Sequence, residues 1–251
     1  MAIIETKDLT KVFVLGRNRE VTALNKINLA VEEGEIFGIL GPNGSGKTTC
    51  LKILLGILFA SSGETYIMGK GPFDLTMKKE IGFLPENPYY YDYLTGPELL
   101  TFYGRLFEIP PATLRSRVEE MLRLVNLQDV RRLSLRHYSK GMLERIGLAA
   151  SMLNNPKVLI LDEPTTGLDP IGCKETRDLL VDLKKQGKTV LLSSHFLSEV
   201  ERVCDRIGIF HRGVLLTVGK LDVLQQQYKA SNLEELFVKT ITEFDRQHPV
   251  A

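Results

Sequence analysis

The chain has only three cysteines, Cys50, Cys173 and Cys204, widely spaced and without a C-x-x-C pair. That excludes a disulfide framework and a cysteine-rich zinc site, and predicts buried thiols in a reducing compartment. It also lacks long apolar runs. The most apolar stretch, 53–60, is far short of the roughly 20 residues that cross a bilayer, and the first residues have no signal-peptide core. The chain is therefore not expected to cross a membrane by itself. Excess charge of either sign is missing too: 32 Lys and Arg face 31 Asp and Glu, a net charge of +1. Bulk nucleic-acid binding and a strongly basic membrane surface lose their usual footprint. Internal repeats and low-complexity stretches are absent. His137, His211 and His248 have no metal-ligand spacing and read as surface or hairpin residues.

What is present is concentrated at 36–55. Ile36 to Leu40 reads as a buried strand; Gly41-Pro42-Asn43-Gly44-Ser45-Gly46 follows as a loop; Lys47, Thr48 and Thr49 begin a helix carrying Leu51, Ile53, Leu54 and Leu55. This is G-x-x-x-x-G-K-[ST], the phosphate-binding P-loop, in its required strand–loop–helix setting. Glycines let backbone N–H groups approach phosphate oxygens, and a helix N-terminus adds partial positive charge. Lys47 is expected to bridge β- and γ-phosphates and the Thr48 hydroxyl to ligate Mg²⁺.

The flanking segments define the fold class. Residues 1–35 alternate as strands, with a polar turn at 17–20, and further strands are expected at 65–68 and 81–84. Helical periodicity follows at 97–107 and 112–125, where Val118, Met121, Leu122 and Val125 share a face. From 157 strands and helices alternate (158–161, 173–185, 189–192, 197–203), and 207–210 with 214–218 reads as a hairpin. Such alternation implies a mostly parallel sheet. The prediction is a single α/β domain spanning 1–251. Its nucleotide-binding core comprises 1–85 and 156–220, with a helical insertion at 86–155 and a short helical tail at 221–251.

Two further constellations carry chemistry. Val158-Leu159-Ile160-Leu161-Asp162-Glu163 is an apolar strand ending in two carboxylates, the Walker B pattern. Asp162 is expected to hold Mg²⁺ and Glu163 to orient and partly deprotonate the attacking water, their roles separated by side-chain alternation along the strand. Tyr138-Ser139-Lys140-Gly141-Met142 precedes a helix that Ser139 can cap, a weak anion site on its own.

The order of these pieces resembles the nucleotide-binding domain of ATP-binding-cassette (ABC) proteins over nearly the whole chain. Walker A is Gly41 to Thr48, the Q-loop position falls in Gly82-Phe83-Leu84-Pro85-Glu86, and the signature matches Tyr138 to Met142. Walker B is Val158 to Glu163, the D-loop Gly167-Leu168-Asp169-Pro170 and the H-loop Ser193-Ser194-His195. The resemblance implies a P-loop NTPase with a RecA-like, mostly parallel core sheet, an N-terminal antiparallel β-subdomain and an inserted α-helical subdomain.

It also implies a head-to-tail dimer holding two ATP molecules. Ser139 and Gly141 would touch the γ-phosphate bound at the partner's P-loop, His195 would hydrogen-bond the phosphate of its own side, and Asp169 would connect the two sites. Phe13 aligns with the adenine-stacking aromatic, although it fits a sheet core residue equally. Two positions depart from the family. Glu86 stands where Gln is usual; Glu can still ligate Mg²⁺, with a shift in Mg²⁺ affinity or pH dependence expected. Lys140 replaces a glycine and either touches a phosphate or ribose in trans or points to solvent.

A complete cassette without a hydrophobic span implies an ATPase subunit powering separate integral-membrane permease chains, as a homodimer or paired with a related ATPase. It would sit in the cytoplasm, on the inner face of the membrane through the permease. The Tyr-rich loop at 89–93 either faces that permease or packs internally. Pro85-Glu86-Asn87-Pro88-Tyr89 and residues 232–237 look like the ATPase subunits of prokaryotic exporters. The competing reading is a soluble cassette ATPase of translation or DNA repair. Such proteins usually carry paired cassettes with a long linker, or a coiled-coil or zinc insertion, and none is evident here.

Overall fold

The computed structural model describes residues 2–16 and 19–249; Arg17 and Asn18, half of the expected 17–20 turn, lie outside them. Two sheets organise the chain. Strands β1 (Ala2–Leu15) and β2 (Arg19–Glu32) form a long antiparallel pair, and β4 (Ser62–Ile67) adds to the free side of β1. The larger sheet contains β3 (Ile36–Leu40), β5 (Ile81–Leu84), β6 (Val158–Asp162), β7 (Thr189–Ser194), β8 (Arg206–His211) and β9 (Val214–Lys220) in the order β5-β6-β7-β3-β8-β9. All neighbours are parallel except the β8–β9 hairpin.

Side-chain alternation assigns these strands to two cores. Ile36, Leu40, Leu159, Leu161, Val190 and Leu192 face one, whereas Phe37, Ile39, Val158, Ile160 and Leu191 face the other. A parallel sheet covered on both faces needs such continuous apolar strands, which is why β3 and β6 read as unbroken hydrophobic runs. The first core also holds the helices that follow β5; the second seats the antiparallel sheet, helix α1 (Lys47–Leu54) and Met77.

Between β5 and β6 run α3 (Gly96–Leu106), α4 (Pro111–Leu124) and α5 (Lys140–Met152); the short α2 (Leu75–Lys78), which the sequence pattern did not reveal, precedes β5. Thr95 starts α3 with a capping box, its hydroxyl accepting from Glu98 N–H while Glu98 Oε2 accepts from Thr95 N–H at 2.8 Å. On α4, Val118, Met121 and Leu122 are buried together, as the periodicity predicts. Helices α6 (Pro170–Lys185) and α7 (Leu197–Val203) flank β7 in sequence. The tail is two helices, α8 (Leu221–Tyr228) and α9 (Leu233–Gln247), parted by Lys229 in a left-handed conformation at φ 51°. The expected helical tail thus extends to Gln247. The carboxyl ends of β3, β6 and β7 lie at one edge of the sheet, where open α/β sheets place their ligands.

Candidate functional site

At that edge the chain leaves β3 through residues 41–46 and enters α1 at Lys47. Gly44 (φ 77°) and Gly46 (φ 109°) adopt left-handed conformations closed to most side chains. A Cβ at Gly41 would sit 2.4 Å from the Phe210 carbonyl oxygen, so that position admits no side chain. Pro42 accepts the Ser45 N–H at 3.1 Å, while Asn43 and Gly44 are exposed at the rim. Ser45 Oγ is buried and has no partner among the described residues. Thr49 is half-buried in the first turn of α1. A glycine cradle, a helix start and an orphaned buried hydroxyl together fit a phosphate chain.

Lys47 is 6% exposed; its Nζ donates to the Gly41 carbonyl at 2.7 Å and lies 3.6 Å from Glu163 Oε1, itself almost fully buried. Thr48 Oγ1 donates to Asp162 Oδ1 at 3.2 Å. Ser193 Oγ, at the end of β7, donates to the same oxygen at 2.6 Å and accepts the Glu163 N–H at 3.0 Å. Sequence reasoning quoted Ser193 only as part of a motif; here it ties the ends of two neighbouring strands together, bonding the Asp162 carboxylate and the Glu163 backbone N–H. Glu163 Oε2 receives the His195 backbone N–H at 3.2 Å and faces His195 Nδ1 at 2.7 Å.

The separation of the two carboxylates has a different cause from the strand alternation expected. Strand β6 stops at Asp162, and Glu163 turns into the left-handed region at φ 56°. That conformation costs a non-glycine residue of order 1 kcal/mol and persists because its neighbours over-determine it.

Thr48 and Asp162 place two oxygens together beside the P-loop. Mg²⁺ commonly takes one or two protein oxygens and completes its octahedron with water and substrate phosphates, so this donor set fits it. Among the described residues no group of three or more His, Cys, Asp or Glu forms a metal cluster. Cys50, beside the P-loop, is buried, which pushes its thiol up to about 12 and makes it inert. Cys204 is half-buried as a residue, but its Sγ packs against Gly38 of β3 and burial holds its thiol well above the usual range, so the expectation of buried thiols fails only at half-buried Cys173.

The remaining expected site residues lie around this centre. Ser139 caps α5, its Oγ accepting the Met142 N–H at 3.2 Å; Asp169 caps α6, its Oδ1 accepting the Gly172 N–H at 2.7 Å. These two caps sit side by side, because a Cβ on Gly141 would lie 3.4 Å from the Leu168 side chain. Lys140 is exposed, yet its aliphatic stem crosses Gly167, where a Cβ would meet its Cδ and Cε at 2.5 Å. Phe13 sits on β1 opposite Val21, half-buried rather than in the sheet core, with the Lys11 ammonium 4.9 Å from its ring centroid.

Glu86 is exposed in the loop after β5, and its charge reaches Glu144, which sequence reasoning did not single out. Glu144 is buried in α5 and its Oε2 has no partner among the described residues. Burial raises its carboxyl from 4.5 to about 7, with Lys140 opposing and Glu86 adding. The folded chain therefore holds a proton that the unfolded chain has already lost. Stability falls as pH rises from about 4.5 through about 7, and the full penalty applies above that. Glu144→Gln is expected to raise stability by roughly 1–2 kcal/mol at pH 8, discounted for water near the exposed Lys140, and by almost nothing at pH 4.5. Thermal melts at both pH values check this; an equal shift at both would contradict it.

The fold and this cluster define the class: a P-loop nucleoside triphosphatase. Residues 24–166 match the ABC transporter family. The chain is 47% identical to an uncharacterised ABC transporter ATP-binding protein of Nostoc sp. over 89% of its length, and 46% identical to a Synechocystis sp. counterpart over 87%; it spans 68% and 63% of those relatives. It is 41% identical to the bacitracin transport ATP-binding protein BcrA of Enterococcus faecalis, covering 90% of this chain and 71% of that one. A dimeric ATP-binding cassette solved in a post-hydrolysis state with ADP and Pi superposes with a TM-score of 0.80 at 28% identity, covering 87% of this chain and 98% of that one. The chain belongs to the ABC transporter family, as its ATP-hydrolysing, ATP-binding subunit type. Among the described residues no helix is long and apolar enough to cross a membrane.

Proposed function

We propose that this chain is the ATPase subunit of an exporter, driving its permease by ATP-dependent head-to-tail dimerisation. We read it as one ATPase domain in which 86–155 carries the signature, 1–85 with 156–220 the nucleotide core, and 221–251 a tail. The observation that carries the proposal is the convergence of Lys47, Thr48, Asp162, Glu163 and His195 at one sheet edge.

Lys47 and the N–H groups at the start of α1 bind the phosphates of ATP, with Ser45 Oγ lining the cradle. Thr48 and Asp162 would hold Mg²⁺, which would supply charge neutralisation on the phosphates. Glu86 is available as a further oxygen ligand. Glu163, fixed by the His195 N–H, the His195 ring and the Lys47 ammonium, orients the attacking water and accepts its proton. His195 presents Nδ1 to Glu163, leaving Nε2 for the γ-phosphate; donation from both nitrogens requires the imidazolium form. Phe13 stacks on the base.

Because Ser139 Oγ accepts from its own helix, its O–H is left to donate to a phosphate held by the facing subunit, alongside the Gly141 amide. Asp169, next to that cap, links the two sites. The membrane partner docks in a groove of about 440 Å³ lined by Ile57, Pro88, Tyr89, Tyr90, Tyr103 and Phe107. Here the tyrosine cluster divides its work. Tyr90 packs its hydroxyl against Gly147, whereas Tyr89 is 97% exposed and free for contact. Similarity to a bacitracin transport ATP-binding protein supports a role in transport, and the export reading rests on the resemblance of residues 85–89 and 232–237.

The test is a tagged Glu163→Gln chain pulled from detergent-solubilised membranes with ATP and Mg²⁺, followed by mass spectrometry. A polytopic membrane protein in near-equal amount is expected. Ribosomes, nucleic acid or soluble proteins alone would move the assignment to a soluble cassette ATPase.

A further inference from the structure

The β8–β9 hairpin turns through Arg212 and Gly213, with His211 paired to Val214. Both central residues have positive φ, 46° and 75°, as a two-residue type I′ turn requires. Asn or Asp is favoured at the first of these positions, so Arg212 needs outside support to stay there.

The last turn of α9 provides it. Asp245 Oδ1 lies 2.8 Å from His211 Nε2 and 3.0 Å from the Arg212 guanidinium, whose other nitrogen donates to the His248 carbonyl at 3.1 Å. Phe244 meets the His211 ring edge-on at 5.6 Å and stacks on His248 at 4.3 Å. Helix α9 is itself anchored, with Leu233, Leu236 and Thr240 buried.

The next residue of the turn reaches the phosphate loop. The Gly213 N–H donates to the Ser45 carbonyl at 3.0 Å, and its carbonyl accepts the Asn25 N–H at 2.7 Å. At the start of the same loop, the Phe210 carbonyl occupies the space beside Gly41. A Cβ on Gly213 would lie 2.8 Å from the Ala23 carbonyl oxygen, so the turn has no room to shift toward β2. An unbroken series of bonds runs from Asp245 through Arg212 and Gly213 to Ser45.

We propose that Asp245 is a positioning residue for the P-loop: the C-terminal helix holds the hairpin turn in its left-handed conformation, and the turn holds Ser45. The inference rests on reading residues 41–48 as the nucleotide site. It makes nucleotide affinity depend on the docking of α9 and, by reciprocity, makes bound nucleotide stabilise α9.

The test titrates the full chain with MgADP by calorimetry and measures ATP turnover. Asp245→Ala is expected to raise the Kd for MgADP and the KM for ATP five- to tenfold, with kcat changed less than twofold. Asp245→Asn, which keeps an acceptor oxygen, should recover most of the loss. Glu243→Ala, removing an exposed charge from the same helix, should bind as the parent does. Hydrogen exchange on the unaltered chain gives a second readout that needs no variant to fold: MgADP should slow exchange at 240–248. Parent-like affinity in Asp245→Ala, or exchange there indifferent to MgADP, would overturn the proposal alone. Failure of the unaltered chain to bind nucleotide would overturn the site reading with it.

Discussion

Replacing Glu163 by Gln is expected to lower ATP turnover about a thousandfold while leaving nucleotide binding within a few-fold of the parent chain. The amide is nearly isosteric and keeps an oxygen for the His195 Nδ1–H, so the geometry around 2.7 Å can persist. What disappears is basicity, and a positioned general base contributes typically 10²–10⁴-fold. The change also removes an anion from the neighbourhood of the phosphates, since Glu163 Oε1 lies only 3.6 Å from the Lys47 ammonium. Binding should therefore hold or tighten slightly. Phosphate release measures the first effect, calorimetry the second, and size-exclusion chromatography with MgATP should show a long-lived dimer. Turnover above a tenth of the parent rate would remove Glu163 from the role of base.

The contrast between Glu163 and its neighbours shows what the sequence could disclose. The P-loop and the two carboxylates were legible because each is a contiguous motif whose strand and helix contexts are set by local apolar patterning. The sheet order places β7 between β6 and β3, and with it Ser193 between Asp162 and the phosphate loop. No periodicity announces such a bridge, because it depends on which strands become neighbours. The left-handed turn at Glu163 was hidden for a related reason: a carboxylate at a strand end fits the alternating pattern until the backbone is seen to leave the strand.

Loops were least legible. The four tyrosines at 89–93 carry no period, so nothing in their order separates the packed Tyr90 from the exposed Tyr89. Lys140 looked like a choice between phosphate and solvent; it is exposed, and its stem also lies across Gly167, a contact set by how α5 meets the loop after β6.

Lys47→Ala should abolish measurable turnover and weaken MgADP binding by about 30-fold or more, and the reason involves two groups rather than one. The ammonium is buried, donating to the Gly41 carbonyl at 2.7 Å beside the equally buried Glu163 carboxylate. Truncating it removes a cation that meets the phosphates, and it also strips Glu163 of the ammonium beside its Oε1. Breaking one side of a buried charge pair costs about 2–5 kcal/mol, much of it the penalty on the charge left behind. That stranded carboxylate then faces the negative phosphates directly. The double variant Lys47→Ala with Glu163→Gln should consequently bind MgADP more tightly than Lys47→Ala alone, because the uncompensated anion is gone. A double-mutant cycle in calorimetry is expected to return a coupling of at least about 1 kcal/mol, the range for groups in direct contact. Additive losses would mean that Lys47 and Glu163 act on the nucleotide independently, and that the 3.6 Å contact carries no energy.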